Sequence, residues 1–508
     1  MTTRASFLSL PFLAFLTFVL IASALATGIA TPPAWAYVPN ANQILPPLPG
    51  ATDDFWDYNT WNPGNPAFPA VGGSYNDPRF STPASGAVGT TTITRLSNVY
   101  VNPPQCTGEI WGKNGYQNAN GTMAFSGVFP GAAGCEGAWQ IIDTHTGNVL
   151  YPYPLPAVDT YSINDMMSFD PFNPNVYWVG QGTKLRRVTL SGTAPCGPTP
   201  IVCDEFDFGP FTGGVQLPVL GAGHLNWLAA IPATDGLARY FLALYPDWSI
   251  HILDRQTGTV INGPITCSYP PFDPTSPDPL ISDPTRCVTG GYFTITPSGN
   301  HIVAYGTSLG DIALVYTVTL NQSCNPNCGS IASTHYTTWD LCGDHAAFAS
   351  ATDGNDYMVV FNCYDAIEVR VRNIALVSGG LSEEKTNSRL IFTMSGTDEV
   401  HFTCSVTQHQ NWCIVDTEGD DDQYNSVPTA STWRVYEQEI IAFNILGQGT
   451  DPIRRLAHHR TRNPNGADYY KQPKVSISWD GSSLIWFSDY NVQTSGYADL
   501  YGMTPPLP

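Results

Sequence analysis

One strand–turn–strand unit recurs along this chain, and the recurrence limits the possible folds more than any other feature. The last copy is the clearest. Val475, Ile477 and Trp479 alternate with Ser476 and Ser478, the period-2 pattern of a strand. Asp480-Gly481 follows as a hairpin turn, because glycine accepts a positive φ without a Cβ clash, and residues 484–488 form the return strand. The same order appears in His345-Ala346-Ala347-Phe348-Ala349, then Asp353-Gly354, then residues 357–360. His401-Phe402-Thr403-Cys404-Ser405 leads to 412–415, and Gly290-Gly291-Tyr292-Phe293-Thr294 leads to 302–305. His224-Leu225-Asn226-Trp227-Leu228 leads to 240–242, and Asn164-Asp165-Met166-Met167-Ser168 leads to 176–179; a less regular copy covers 120–125.

About seven such units at roughly 40–65-residue spacing, each continuing into outer strands, predict an all-β, seven-bladed β-propeller. Two outer turns share a signature, Asp143-Thr144-His145-Thr146-Gly147 and Asp254-Arg255-Gln256-Thr257-Gly258. The last blade supplies three clear strands, so residues 90–96 are expected to close the ring as its fourth, which removes exposed sheet edges. Residues 85–508 are read as the propeller. Residues 37–84, rich in Pro, Gly, Asn and aromatics, are read as an extended N-terminal arm packed on it.

Arg4 precedes an apolar run over residues 7–26, and small residues at 24–26 and 34–36 fit signal-peptide cleavage near 26 or 36. Residues 1–36 are therefore read as a signal peptide, with no membrane span left after its removal and a secreted or periplasmic location. Twelve cysteines in an exported chain predict disulfides. Eight form near neighbours: Cys106 with Cys135, Cys196 with Cys203, Cys267 with Cys287, Cys404 with Cys413. Cys324, Cys328, Cys342 and Cys363 complete the set with their connectivity open. Asn120-Gly121-Thr122 and Asn321-Gln322-Ser323 match the N-glycosylation sequon.

A formal charge of -21 argues against a nucleic-acid partner. The positive charge is nonetheless concentrated: Arg454, Arg455, Arg460, Arg462, Lys471 and Lys474 are six of 21 basic residues. They either form a local anion site or line an outer strand and pair with neighbouring carboxylates. The acidic run over residues 416–422 lacks EF-hand spacing and reads as a solvated loop rather than a Ca²⁺ site.

The strand–Asp-Gly–strand–Asp-x-x-Thr-Gly pattern resembles the TolB-like propeller repeat. The last copy, with Leu456-Ala457-His458-His459-Arg460 leading to Gln472-Pro473, is similar to the propeller of oligogalacturonate lyases. That resemblance covers most of residues 90–505. It implies a polysaccharide lyase acting by β-elimination on uronic-acid glycans, with metal-ligating His and Gln near the last-blade motif.

The repeat alignment places His224, His345, His401 and Gln472 at one position, the residue opening the innermost strand. Three imidazoles and an amide converging on a channel suit a divalent metal such as Mn²⁺, Zn²⁺ or Ca²⁺, or metal-free acid–base work. For an elimination, His345 or His401 is the candidate base, Arg460 the cation that stabilises the enolate-like charge, and Tyr469 or Tyr470 the proton donor. His224, Gln472, His459 and Arg462 are candidate ligand-binding residues. The competing reading, taken as the primary one, is an exported, WD40-like binding propeller that recognises an extracellular glycan or protein through the rim of its channel. The oligomeric state is open.

Overall fold

The computed structural model describes residues 70–77, 91–97, 115–127, 139–152, 154–157, 167–191, 201–214, 227–245, 249–265, 292–305, 312–321, 323, 329–338, 346–362, 367–376, 388–394, 400–417, 436, 438–448, 452–459, 461, 472–488, 499–504 and 507. The signal-peptide segment lies outside them. No helix among the described residues is long and apolar enough to cross a membrane.

Seven antiparallel sheets follow one another in chain order and make the seven blades of a β-propeller. Blade 1 holds Met123–Gly127, Trp139–Asp143 and Val149–Tyr151. Blade 2 holds Met167–Phe169, Val176–Gln181, Lys184–Thr189 and Ile201–Asp207. Blade 3 holds Tyr240–Leu244, Ser249–Asp254 and Thr259–Ile265. Blade 4 holds Tyr292–Ile295, His301–Tyr305, Ile312–Leu320 and Gly329–Thr338. Blade 5 holds Ala346–Ser350, Asp356–Asn362, Ile367–Asn373 and Ser388–Met394. Blade 6 holds Val400–Cys404, Trp412–Thr417, Glu439–Asn444 and Ile453–His458. Blades 1 and 3 gain an inner edge from less regular stretches: Phe125 N–H donates to Tyr116 C=O, and Leu242 N–H donates to Trp227 C=O. Among the described residues a helical turn, Gly209–Thr212, follows the last strand of blade 2.

Blade 7 closes the ring as expected. Its sheet runs, from the centre outwards, through Ser476–Ile477, Leu484–Ser488, Asp499–Met503 and the N-terminal strand Thr91–Arg95. Ile93 pairs with Met503 and Arg95 with Tyr501. A buried ion pair locks the joint: Arg95 Nε and Nη2 reach Asp499 Oδ2 at 2.8 and 2.6 Å, and Ser97 Oγ donates to Oδ1 at 2.9 Å. A fifth strand, Ser74–Asp77, then pairs with Thr91–Arg95. It falls inside the stretch read from sequence as an extended arm, so part of that stretch belongs to the blade.

The core is divided among the gaps between blades. One apolar cluster joins blades 2, 3 and 4, another joins blades 1, 2 and 7, and others fill the gaps between 6 and 7, 5 and 6, and 4 and 5. Each sheet is therefore covered on both faces, and the inner and second strands lose the in–out alternation of a one-sided sheet. Val400–Cys404, Tyr240–Leu244 and Leu484–Ser488 are buried throughout. Cys404 and Cys413 face each other across the first two strands of blade 6 and form a disulfide. Cys203 is also disulfide-bonded. The other nine cysteines lie outside the described residues.

Candidate functional site

Each inner strand has two ends: the start, where the chain enters the blade, and the turn into the second strand. The turn ends converge on a cavity of about 340 Å³. Five of the seven blades line it, through Phe172 in blade 2, Ala230 in blade 3, Pro297, Ser298 and Asn300 in blade 4, Ser350, Ala351 and Gly354 in blade 5, and Val406, Thr407 and Gln410 in blade 6. None of these side chains carries a charge.

Trp479 packs on the inner side of the ring at this level. It sits in the turn of blade 7, yet its Nε1–H donates to Phe169 C=O of blade 2 at 3.2 Å. Its ring belongs to the apolar cluster that joins blades 2, 3 and 4. Its backbone carbonyl accepts from Val406 N–H at 3.1 Å and from Thr407 Oγ1 at 3.1 Å, so two cavity-lining residues hang on Trp479. The turn beyond it is shaped by Asp480, whose Oδ1 accepts from Ser478 Oγ and from Ser482 N–H, and by Gly481 at φ 78. A Cβ at 481 would meet Ser405 Oγ at 2.8 Å, so glycine is needed there for space as well as for its φ.

The cavity wall between blades 4 and 5 is organised by Asp356. Its Oδ2 accepts from Thr296 Oγ1 at 2.8 Å, Ser298 Oγ at 2.8 Å and His301 Nδ1–H at 2.7 Å; its Oδ1 accepts from Ser350 Oγ at 2.6 Å. Burial alone would raise the carboxyl pKa, but the bonds from His301, Ser350, Ser298 and Thr296 outweigh it and hold the carboxyl below its usual range. The serines donate to the carboxylate, not to the imidazole, so this Ser–His–Asp set is a clasp between blades and not a nucleophile relay. Asp170 plays the same part between blades 2 and 3. Its Oδ2 accepts from Trp178 Nε1–H and Ala238 N–H, both at 2.8 Å, and its Oδ1 accepts from Phe172 N–H at 2.9 Å. Near-complete burial raises its pKa despite these bonds.

At the strand-start end, the described candidates lie in blades 6 and 7. Ser405 and Ser478 are the residues whose amides bond across their turns, which puts His401 four residues ahead of its turn and Gln472 six ahead. His401 thus shares the register of Lys474, not of Gln472. The sequence alignment placed them together because it could not see that the turn of blade 6 is longer. His401 is 0 % exposed; its Nδ1–H and its backbone N–H both donate to Asp416 Oδ1 at 3.0 Å, and Val475 N–H of blade 7 donates to Oδ2 at 2.8 Å. Asp416, read from sequence as the first residue of a solvated loop, is instead the buried end of a strand.

His459 is 1 % exposed, with Nε2–H donating to Thr417 C=O at 2.9 Å and Nδ1 accepting from Thr461 N–H at 3.0 Å. Those bonds define a neutral imidazole, and burial lowers its pKa to about 4. His458 is buried as well, so neither of these two candidate-region histidines faces a ligand. Gln472 is also buried. Among the described residues no group of three or more His, Cys, Asp or Glu side chains is placed to hold a metal. His224, His345, Arg460, Arg462, Tyr469 and Tyr470 lie outside the described residues.

Of the six clustered basic residues, Arg454, Arg455 and Lys474 are among the described ones. Arg455 is fully buried in a bidentate pair with the equally buried Glu439, and its guanidinium lies 5.3 Å from the centre of the Tyr436 ring. Arg454 lies 5.0 Å over Trp412, and Lys474 is buried. Backbone strain concentrates here: Tyr436, Gln438 and Lys474 hold φ of 66, 52 and 45. Of the two sequence readings, pairing with a neighbouring carboxylate describes Arg455.

The sequence reasoning missed the turn-end cavity. Its residues come from turns of differing length, and the one shared signal is a small polar residue beside the turn, as in Ser298 and Ser350.

No protein-family model and no curated protein matches the chain. Among solved structures it is similar to an oligogalacturonate lyase from Vibrio parahaemolyticus, at 11% identity and a TM-score of 0.39, over 82% of this chain and 93% of that one. It is also similar to the Cps50 (Swd1) β-propeller domain of Myceliophteria thermophila, at 10% identity and a TM-score of 0.39, over 81% of this chain and 99% of that one. A third is Sqt1 of Chaetomium thermophilum, at 12% identity and a TM-score of 0.36, over 75% of this chain and 81% of that one. The assignment of the fold rests on the seven sheets themselves.

Proposed function

We propose that this protein is an exported β-propeller that recognises an extracellular glycan through the rim of its central channel. The observation that carries the reading is the cavity where five blades converge, lined by amides, hydroxyls, small apolar groups and one aromatic ring. Such a mixture offers hydrogen bonds to hydroxyl groups and an apolar face to a sugar ring. Export is supported by the Cys404–Cys413 disulfide together with the N-terminal apolar run.

A binder fits the described residues better than a lyase does. β-Elimination needs a base in contact with the substrate carbon-bound proton. His401 and His459 are enclosed, and the hydrogen bonds of each run into the fold.

The test is to express the full chain in a secreting host and offer the recovered protein to immobilised glycans, while following the ultraviolet absorbance of unsaturated products. The reading expects protein in the medium cut near residue 26 or 36, and glycan retention with flat absorbance. Rising absorbance, abolished by His345→Ala, would replace it with the lyase. Failure to leave the cell would remove the extracellular ligand.

A further inference from the structure

The cavity lining says which glycans belong there. We propose that the turn-end cavity is a subsite for an uncharged sugar unit, and that uronic acids and other anionic sugars are rejected; this rests on the glycan-binding reading above.

Three observations converge. First, the chain carries -21 formal charge, yet none of the described residues that line the cavity is charged, so none of them would pair with an anion. Second, the carboxylates behind the wall have their acceptor oxygens already engaged. Asp356 takes four side-chain donors, and Asp170 takes three backbone amides and an indole N–H. Neither is left to receive a sugar hydroxyl, and the Asp356 carboxyl, held below its usual pKa range, keeps a negative potential behind the wall. An anionic sugar entering this space meets that potential with no Lys or Arg among the described lining residues to offset it. Third, the polar groups left to a ligand are neutral. The side-chain amides of Asn300 and Gln410 make no hydrogen bond among the described residues, and each supplies a donor pair and an acceptor suited to vicinal hydroxyls.

The apolar half of the recognition comes from Phe172, which is partly exposed at the cavity, and from Val406 and Pro297. An aromatic face against the C–H face of a sugar ring gives orientation, and the amides give specificity. A volume of about 340 Å³ is at the small end of ligand sites, which run to roughly 300–1,000 Å³, and suits a short terminal unit of a glycan.

The experiment is an array of neutral and uronic-acid oligosaccharides probed with the whole secreted protein, followed by calorimetric titration of the best neutral binder against variants. Neutral glycans are expected to bind, and a roughly tenfold rise in salt should change their affinity less than about twofold. Phe172→Ala should weaken binding about tenfold, and Gln410→Ala and Asn300→Ala each about five- to tenfold. Asn300 is exposed, so Asn300→Ala keeps the test valid even if Phe172→Ala misfolds. Binding confined to uronic-acid glycans, or neutral binding untouched by Asn300→Ala and Gln410→Ala, overturns the neutral subsite and leaves the glycan-binding reading standing. No retention of any glycan removes that reading and the subsite with it.

Discussion

The two ends of the inner strands solve one physical problem in opposite ways. At the turn end, Asp356 joins blades 4 and 5 by collecting hydroxyl and imidazole donors, and two of those donors, Ser298 and Ser350, also line a cavity. At the strand-start end, Asp416 joins blades 6 and 7 through His401 and a backbone amide, and beside it Arg455 and Glu439 are paired in full burial. A carboxylate hub is thus no sign of a site. What separates the two, among the described residues, is that donors of the turn-end hub also line open space, whereas the hub at the other end stands with buried histidines and a buried ion pair.

The difference is sharpest where a charge is removed. Arg455→Ala leaves Glu439 buried without its partner and should cost about 3–5 kcal/mol, read as a lower midpoint of chemical unfolding. Glycan affinity of the folded fraction should not move. If it falls, the strand-start end contributes to binding after all.

Trp479→Ala attacks the turn end with similar force. Deleting a fully buried indole costs about 3–5 kcal/mol, and here it also loosens the packing behind Val406 and Thr407, the cavity-lining residues bonded to the Trp479 carbonyl. Affinity should fall along with stability. Lost stability with retained affinity would show that Trp479 only packs.

Acid separates the two ends by pH window. His459 has a folded pKa of about 4 against an ordinary 6.5, so the unfolded chain binds the extra proton first. Its contribution is complete above pH 6.5 and is lost as pH falls towards 4, by roughly 3 kcal/mol in all. His459→Gln should flatten the unfolding midpoint across that window; an unchanged slope would mean that another group carries it.

Asp356 acts in a lower window and has the smallest effect. Its folded pKa is depressed, so its contribution is present above the unfolded value of about 4 and is lost as pH falls through the folded one. Asp356→Asn should remove that lowest acid step while leaving the His459 window intact. A change in the upper window instead would show the two hubs to be coupled.

Much of the fold is legible in the sequence. The alternating run at 475–479, the Asp480-Gly481 turn and its relatives predicted the blades, and the missing fourth strand of the last blade predicted closure by residues 90–96, found as Thr91–Arg95. The cross-strand neighbours Cys404 and Cys413 were legible from spacing. The fifth strand, Ser74–Asp77, was not, because Ser-Tyr-Asn-Asp has no apolar alternation and pairs through its backbone.

Local pattern settles local structure: period, turn chemistry and strand count follow from neighbours in the chain. Burial and register do not. Whether His401 faces a channel or a carboxylate depends on the length of its own turn and on the adjoining blade, whose Val475 amide shares Asp416 with it. Whether Arg455 adds to a basic patch depends on Glu439 lying opposite it. The cavity is the clearest case, since it exists where turns from five blades meet around Trp479 and no one of those turns signals it.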